Sequence, residues 1–431
     1  MAQRTYFDHA ATSPMPRSVR EAYTEALVAL VGNPASQHGH GQDARDMLES
    51  AREVLARYFG VTAAEIVFTS GGTEAINLAL KGIFWARNKA AFTAENSADL
   101  GVQERLLRPI ILAAMGEHHA TLDTLEWLAQ YQGAQIVWLP LDSDGVLQAS
   151  VLAAAIDEAG AENIALATVL LANNEIGSVN PVAQLHEICL AHDIPLHTDA
   201  VAALGQFHFK GDIAEAISIS AHKIGGPVSS GALILSRNTK IEPLLHGGSQ
   251  QRARSGTQDA AAATVFAAAL QAATADFEAK QARLAAVQNR LIDEIRKIDP
   301  QAVLRGAKPD FALVLDADFG SENATESAQA AQNPAFPPRI PGNVHFTFPG
   351  CQGDSLLFLL DQAGISVSTG SACTAGVIEV SHVMRAIGLP DEIGIGALRF
   401  TFNAATSDAE IDHLLAALPA AIAAARQAGL S

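Results

Sequence analysis

The chain has 431 residues, about half of them hydrophobic, and a formal net charge of −18 with a pI near 5.1. That length exceeds what one hydrophobic core keeps filling, so two domains sharing an interface are expected, and the acidic balance argues against a broad phosphate-binding surface and direct nucleic-acid binding. The N-terminus lacks a charged-then-apolar leader, no apolar window has the length of a membrane span, and Cys189, Cys351 and Cys373 form neither a disulfide framework nor a zinc-ligand spacing. The expected setting is cytoplasmic.

In chain order, residues 43–58 place Ala44, Met47, Leu48, Ala51, Val54, Leu55 and Tyr58 at three- and four-residue steps, the apolar face of a helix. Short apolar runs then alternate with helical patterns, and strands are expected at 65–69, 110–114, 135–139, 164–171, 194–198, 217–220 and 232–235, an open α/β sheet. Beyond residue 257 the pattern changes to a long Ala-rich helix over 260–273 and shorter strands near 312–315, 344–348, 365–368 and 398–402. Residues 13–256 are assigned to a large α/β domain, and residues 1–12 with 257–431 to a small α+β domain. Segments 91–108 and 319–342 have almost no apolar period and read as exposed excursions. Ser407 and Glu410 form a capping box that opens the C-terminal helix.

The segment Ser218-Ile-Ser220-Ala-His222-Lys223-Ile-Gly225 sets one lysine after a short apolar strand, beside a hydroxyl, an imidazole and a glycine turn. A partly desolvated amine there can lose its proton and bond the aldehyde of pyridoxal phosphate, while the Ser and His donors hold an anionic group. Standing alone, a lysine after a strand is an ordinary solvated turn residue. Gly72 and Thr73 begin a helix directly after a strand, which offers backbone amides and a hydroxyl to an anion and equally makes a plain strand-to-helix turn. His118, just past the strand at 110–114, has the shape to stack on an aromatic ring or to cap a helix.

Asn174 follows the strand at 164–171 and reads as a ring contact or as a turn residue. Asp199 ends a strand at the edge where open α/β sheets bind ligands, as a partner for a pyridinium nitrogen or as an N-cap. Thr257 closes a glycine-rich segment with two arginines, fit for a phosphate cradle or a surface loop. Cys373 lies in Gly370-Ser371-Ala372-Cys373, too small and polar a stretch to pack a thiol, and reads as a nucleophile; Cys189 and Cys351 read as core packing. Arg399, inside an apolar strand, requires an anion, either an amino-acid carboxylate or a structural acid such as Asp354.

Together with Tyr6-Phe-Asp8-His-Ala-Ala11-Thr12 and Asn33-Pro34-Ala35-Ser36, these segments resemble the cysteine desulfurases of the class V aminotransferase family over nearly the whole chain. The cysteine segment resembles the branch with the longer cysteine loop, which supplies sulfur for iron-sulfur clusters and tRNA modification. The resemblance implies a pyridoxal-phosphate enzyme of fold type I, with a mostly parallel seven-stranded sheet, converting L-cysteine to L-alanine. It implies Lys223 as the Schiff-base lysine, Asp199 as the pyridinium partner and His118 as the stacking residue. Gly72, Thr73, Ser220 and His222 would hold the phosphate, with Thr257 reaching that of the neighbouring subunit in a homodimer.

By the same resemblance Asn174 contacts the ring, Arg399 binds the substrate carboxylate, and Cys373 takes the sulfur as a persulfide. An iron-sulfur scaffold or another sulfur acceptor follows as partner, with Cys373 as a transient ligand to a nascent cluster. One departure is clear: where the family usually has a Gln that donates to the cofactor's phenolic oxygen, this chain has Ala202. Rival readings are a selenocysteine lyase, β-lyase or transaminase of the same fold, and a weakly catalytic sulfur-transfer subunit that Ala202 alone favours.

Overall fold

The computed structural model describes residues 4–89, 106–248, 250–310, 336–370 and 380–429. After β1 (Thr5–Tyr6), the strands β2 (Ile66–Thr69), β3 (Ile110–Ala114), β4 (Gln135–Leu139), β5 (Ile164–Leu170), β6 (Leu196–Asp199), β7 (Ala216–Ser220) and β8 (Gly231–Leu235) form one sheet, in the order β2-β8-β7-β6-β5-β3-β4. Within it β8 runs antiparallel to both neighbours and the other adjacent pairs are parallel. The apolar run of β5 is buried at every position, as expected for a central strand covered by helices on both faces.

One face packs against helices Gly72–Arg87 and His119–Gln132, burying Ile83, Phe84, Leu125 and Leu128. The other packs against Gly39–Phe59, Ala149–Ala159, Val182–Ala191 and Ala260–Thr274, through Leu55, Phe59, Ile156, Leu185 and Phe266. Cys189 is part of this core. The helix Ala260–Thr274, placed by its sequence position in the second domain, therefore shares the first core; its small residues let it lie close against Gly39–Phe59.

A second core gathers Phe7, Leu291, Phe346, Phe348, Leu360, Phe400 and Leu418, with Cys351 among them. It lies between the helices Phe277–Ile298, Gly353–Gln362 and Asp408–Gly429 and a sheet in which β10 (Asn343–Thr347) pairs with β9 (Val303–Leu304) and β12 (Ala397–Thr401). β11 (Ile365–Ser366) pairs in parallel with β1, which ties the N-terminus into this second unit. The Ser407–Glu410 capping box is made in both directions. The strand expected near 312–315 lies outside the described residues.

The excursion expected at 319–342 is described only from residue 336, and that part is not exposed. Arg339 is fully buried there and donates to the carbonyls of Arg305, Ala307 and Asn343. A polar, Pro-rich composition resembles a loop, but carbonyl acceptors satisfy the guanidinium inside the fold. Among the described residues no single helix is long and apolar enough to cross a membrane.

Candidate functional site

A cleft of about 420 Å³ opens at the carboxyl ends of the central strands and is closed from the other side by the second unit. Nine of the residues picked out in the sequence line it: Gly72, Thr73, His118, Asn174, Asp199, Ser220, His222, Lys223 and Arg399. The sheet dictates this convergence, because each follows or ends a strand whose carboxyl end points the same way; Arg399 comes from β12 of the second unit. Thr257 does not join them. It lines a separate cavity of about 130 Å³ with Ser70 and Arg254. Cys373 lies outside the described residues.

Lys223 sits on a single 3-10 turn, His222–Ile224, whose C-cap Gly225 has φ of 78°, a conformation glycine adopts without strain. Burial pushes its amine down to about 8, opposed by the attraction of Asp199 and Asp8 and assisted by the repulsion of Arg399. Asp199 is pushed up to about 6 by burial, against the hydrogen bond from the Val201 amide and the nearby Lys223. Its Oδ1 accepts from that amide at 2.9 Å, so it makes a local capping-type bond while lining the cleft.

His118 also fills both roles weighed for it. As N-cap of helix His119–Gln132, its Nδ1 accepts from the Ala120 amide at 3.1 Å, and its ring lines the cleft. Burial, then the Lys223 charge, holds it down to about 4, so it is neutral. The turn after β5 is made by Asn173, whose Oδ1 accepts from the amides of Glu175 and Ile176, which leaves Asn174 to the cleft.

Arg399 is answered by Asp8 and not by Asp354. Its Nη2 donates to Asp8 Oδ1 at 2.9 Å and its Nη1 to the Asn174 carbonyl at 2.8 Å, while its buried Nε has no partner among the described residues. Asp354 instead occupies the first turn of helix Gly353–Gln362, where a carboxylate suits the helix dipole. The isolated bridges Asp8–Thr401 and Ser368–Arg399 put Asp8 beside the guanidinium, a long-range pairing that spacing in the sequence does not signal.

Further groups that the motifs passed over lie behind or in the cleft, Glu117 behind it and two histidines in its lining. Glu117 is fully buried, accepts from the Leu170 amide at 2.7 Å, and is pushed up to about 8 by burial and by Asp199. His119 and His382 line the cleft, with ring centroids 5.0 Å apart in an edge-to-face arrangement. Glu117 and His119 flank His118 in the sequence, so adjacency was the available signal; His382 carried none beyond the Ser381 N-cap before it.

The site fits a phosphorylated pyridine aldehyde. Ser220 has a buried hydroxyl without a partner among the described residues, beside the helix start at Gly72–Thr73, which leaves a donor free for an anion. At Gly72 a Cβ would come within 2.8 Å of Val201 Cγ2, so a side chain there would crowd the floor of the cradle. The carboxylate of Asp199 and the depressed amine of Lys223 are the groups that a pyridinium nitrogen and an aldehyde require.

The sequence model of the class-V aminotransferase family matches residues 5–312 and 323–414. An IscS-like cysteine desulfurase of Mycobacterium tuberculosis is 39% identical over 99% of this chain and 98% of its own length. The cysteine desulfurase IscS of Dictyoglomus turgidum is 33% identical over 96% and 93%. A solved NifS-like protein superposes with a TM-score of 0.79 at 27% identity, covering 98% of this chain and all of the other.

Proposed function

The chain belongs to the class-V aminotransferase family, a family of pyridoxal-phosphate enzymes, and from that premise we propose that it is a cysteine desulfurase, converting L-cysteine to L-alanine and moving the sulfur onto Cys373. The observation that carries this reading is the convergence in one cleft of a half-buried, depressed lysine, a strand-end aspartate and a guanidinium from the opposite unit. The described ends of the stretch that holds Cys373 meet at the same place. Gly370 lines the cleft, and Ser381 Oγ donates at 2.6 Å to Glu175, another cleft residue.

Lys223, Asp199, His118, Asn174, Gly72, Thr73, Ser220 and His222 would hold pyridoxal phosphate. When bound, that cofactor supplies an electron-withdrawing ring that stabilises negative charge on the substrate's α-carbon. Arg399 binds the substrate carboxylate through its guanidinium, whose plane the Asn174 carbonyl and Asp8 fix. Lys223, lowered towards neutrality by burial, accepts the α-proton at its Nζ and returns a proton to the three-carbon product. His118 presents a neutral ring to the cofactor face.

Cys373 thiolate attacks the substrate sulfur and leaves as a persulfide for delivery to an iron-sulfur scaffold or another sulfur acceptor. Thr257, in its own cavity, serves the phosphate of a second copy, so the working unit is a homodimer. Purified protein loaded with pyridoxal phosphate should be yellow and release alanine from L-cysteine in the presence of a reductant. Cys373→Ser should keep the colour and lose alanine release; a variant that releases alanine normally refutes the role of Cys373.

A further inference from the structure

We infer that His382 is the imidazole base of the cleft, taking the sulfhydryl proton of the substrate; this rests on the reading of the chain as a cysteine desulfurase. Hydrogen bonding gives two cleft imidazoles the same Nε2–H tautomer but uses up the Nδ1 lone pair of only one of them. His118 accepts the Ala120 amide proton at Nδ1, so its neutral ring carries hydrogen on Nε2 and faces a ligand only as a donor. His382 Nε2 lies 2.7 Å from the Glu117 carbonyl oxygen, which can only accept, so Nε2 carries the hydrogen and Nδ1 keeps the lone pair.

The cleft carboxylates each have one oxygen engaged, and His222 is assigned to the phosphate. Asp8 takes Arg399, Asp199 takes the Val201 amide, and Glu175 takes Ser381. The His119 side chain is 54% exposed, with its Nδ1 3.8 Å from Asp123. Its ring packs edge-to-face on His382 and holds that imidazole in orientation, as does the bond to Glu117. The base thus projects from the first residue of helix His382–Ala386, on the side of the cleft where the second unit closes it.

The step balances without an added oxidant. A thiolate attacks the protonated substrate sulfur, and the carbon–sulfur bond breaks with its electron pair left on carbon. The S–H proton passes to His382 Nδ1 as sulfur becomes part of a persulfide, which is more acidic than the parent thiol. A substrate whose chalcogen is already ionised has no such proton to surrender. Selenocysteine, with a more acidic selenol, is such a substrate.

The test is the holoenzyme carrying His382→Gln, whose amide can still donate to the Glu117 carbonyl but is not a base. Alanine release from L-cysteine should fall by about a hundredfold, within the usual range for a lost general base, with cofactor colour retained, and release from L-selenocysteine should fall far less. In His382→Ala, added imidazole should restore cysteine turnover in proportion to its concentration. Equal losses on both substrates, an unchanged cysteine rate, or absence of imidazole rescue would each overturn the assignment. If the wild-type chain does not act on selenocysteine, imidazole rescue decides. Failure of the wild-type protein to release alanine from cysteine would instead overturn the desulfurase reading itself.

Discussion

Asp8, from the first stretch of the chain, and Arg399, from the last strand, form an ion pair 2.9 Å long whose side chains are 22% and 5% exposed. The pair orients the guanidinium in advance of any carboxylate ligand, because Asp8 holds one nitrogen and the Asn174 carbonyl another. Asp8→Asn should lower the folding stability by roughly 2 kcal/mol, less than for a wholly buried pair because Asp8 is partly wet. It should also raise KM for cysteine with a smaller effect on kcat, since the lost interaction acts on carboxylate binding. Denaturant titration and steady-state kinetics check the two halves separately.

Glu117 predicts a pH dependence of stability. Its folded-state value is about 8 against an ordinary 4.5, so between those values the unfolded chain releases a proton that the folded protein retains. Stability therefore falls through this window as pH rises, and the full cost of burying the acid stands above about 8. Glu117→Gln keeps the shape and removes the titration. Its stability relative to wild type should improve progressively from acid to alkaline pH, as read from urea midpoints; a gap independent of pH would show that the carboxyl is ionised in the folded state.

Ala202 lies between the main cleft and a neighbouring cavity of about 220 Å³ that also touches Asn174 and Lys223. Its methyl group cannot donate to the phenolic oxygen of a bound cofactor. Ala202→Gln has space to enter and should restore one hydrogen bond, worth about 0.5–1.5 kcal/mol. Cofactor retention on dialysis should improve by roughly two- to tenfold, and the pH at which the bound cofactor changes colour should move. Identical retention and an identical colour transition would show that another donor already serves that oxygen.

The strand ends that build the cleft were legible because apolar runs and glycine turns are local signals. β3 and β4 match their expected bounds, β2, β5, β7 and β8 differ by one residue at one end, and β6 starts two residues later and ends one later. The places of Lys223, Asp199 and His118 in the cleft are legible for the same reason: each adjoins a strand that the local pattern reveals. Asp8 as the partner of Arg399, and His382 in the cleft, are not legible in the sequence, because their positions depend on contacts between distant segments. The helix Ala260–Thr274 was assigned by its place in the chain, whereas its small side chains allow close packing on the earlier core. Arg339 shows a further limit: composition cannot tell a solvated arginine from one answered by backbone carbonyls.

Joining Asp8 to Arg399 spans 391 positions, and the Phe7 carbonyl likewise waits for the Thr401 amide. During synthesis the opening segment must remain unpaired on that side until β12 has left the ribosome. The large unit can condense earlier around its own sheet, but a nascent chain lacks the Arg399 side of the cleft until β12 has been made. An incomplete polypeptide therefore has a cleft open on one side.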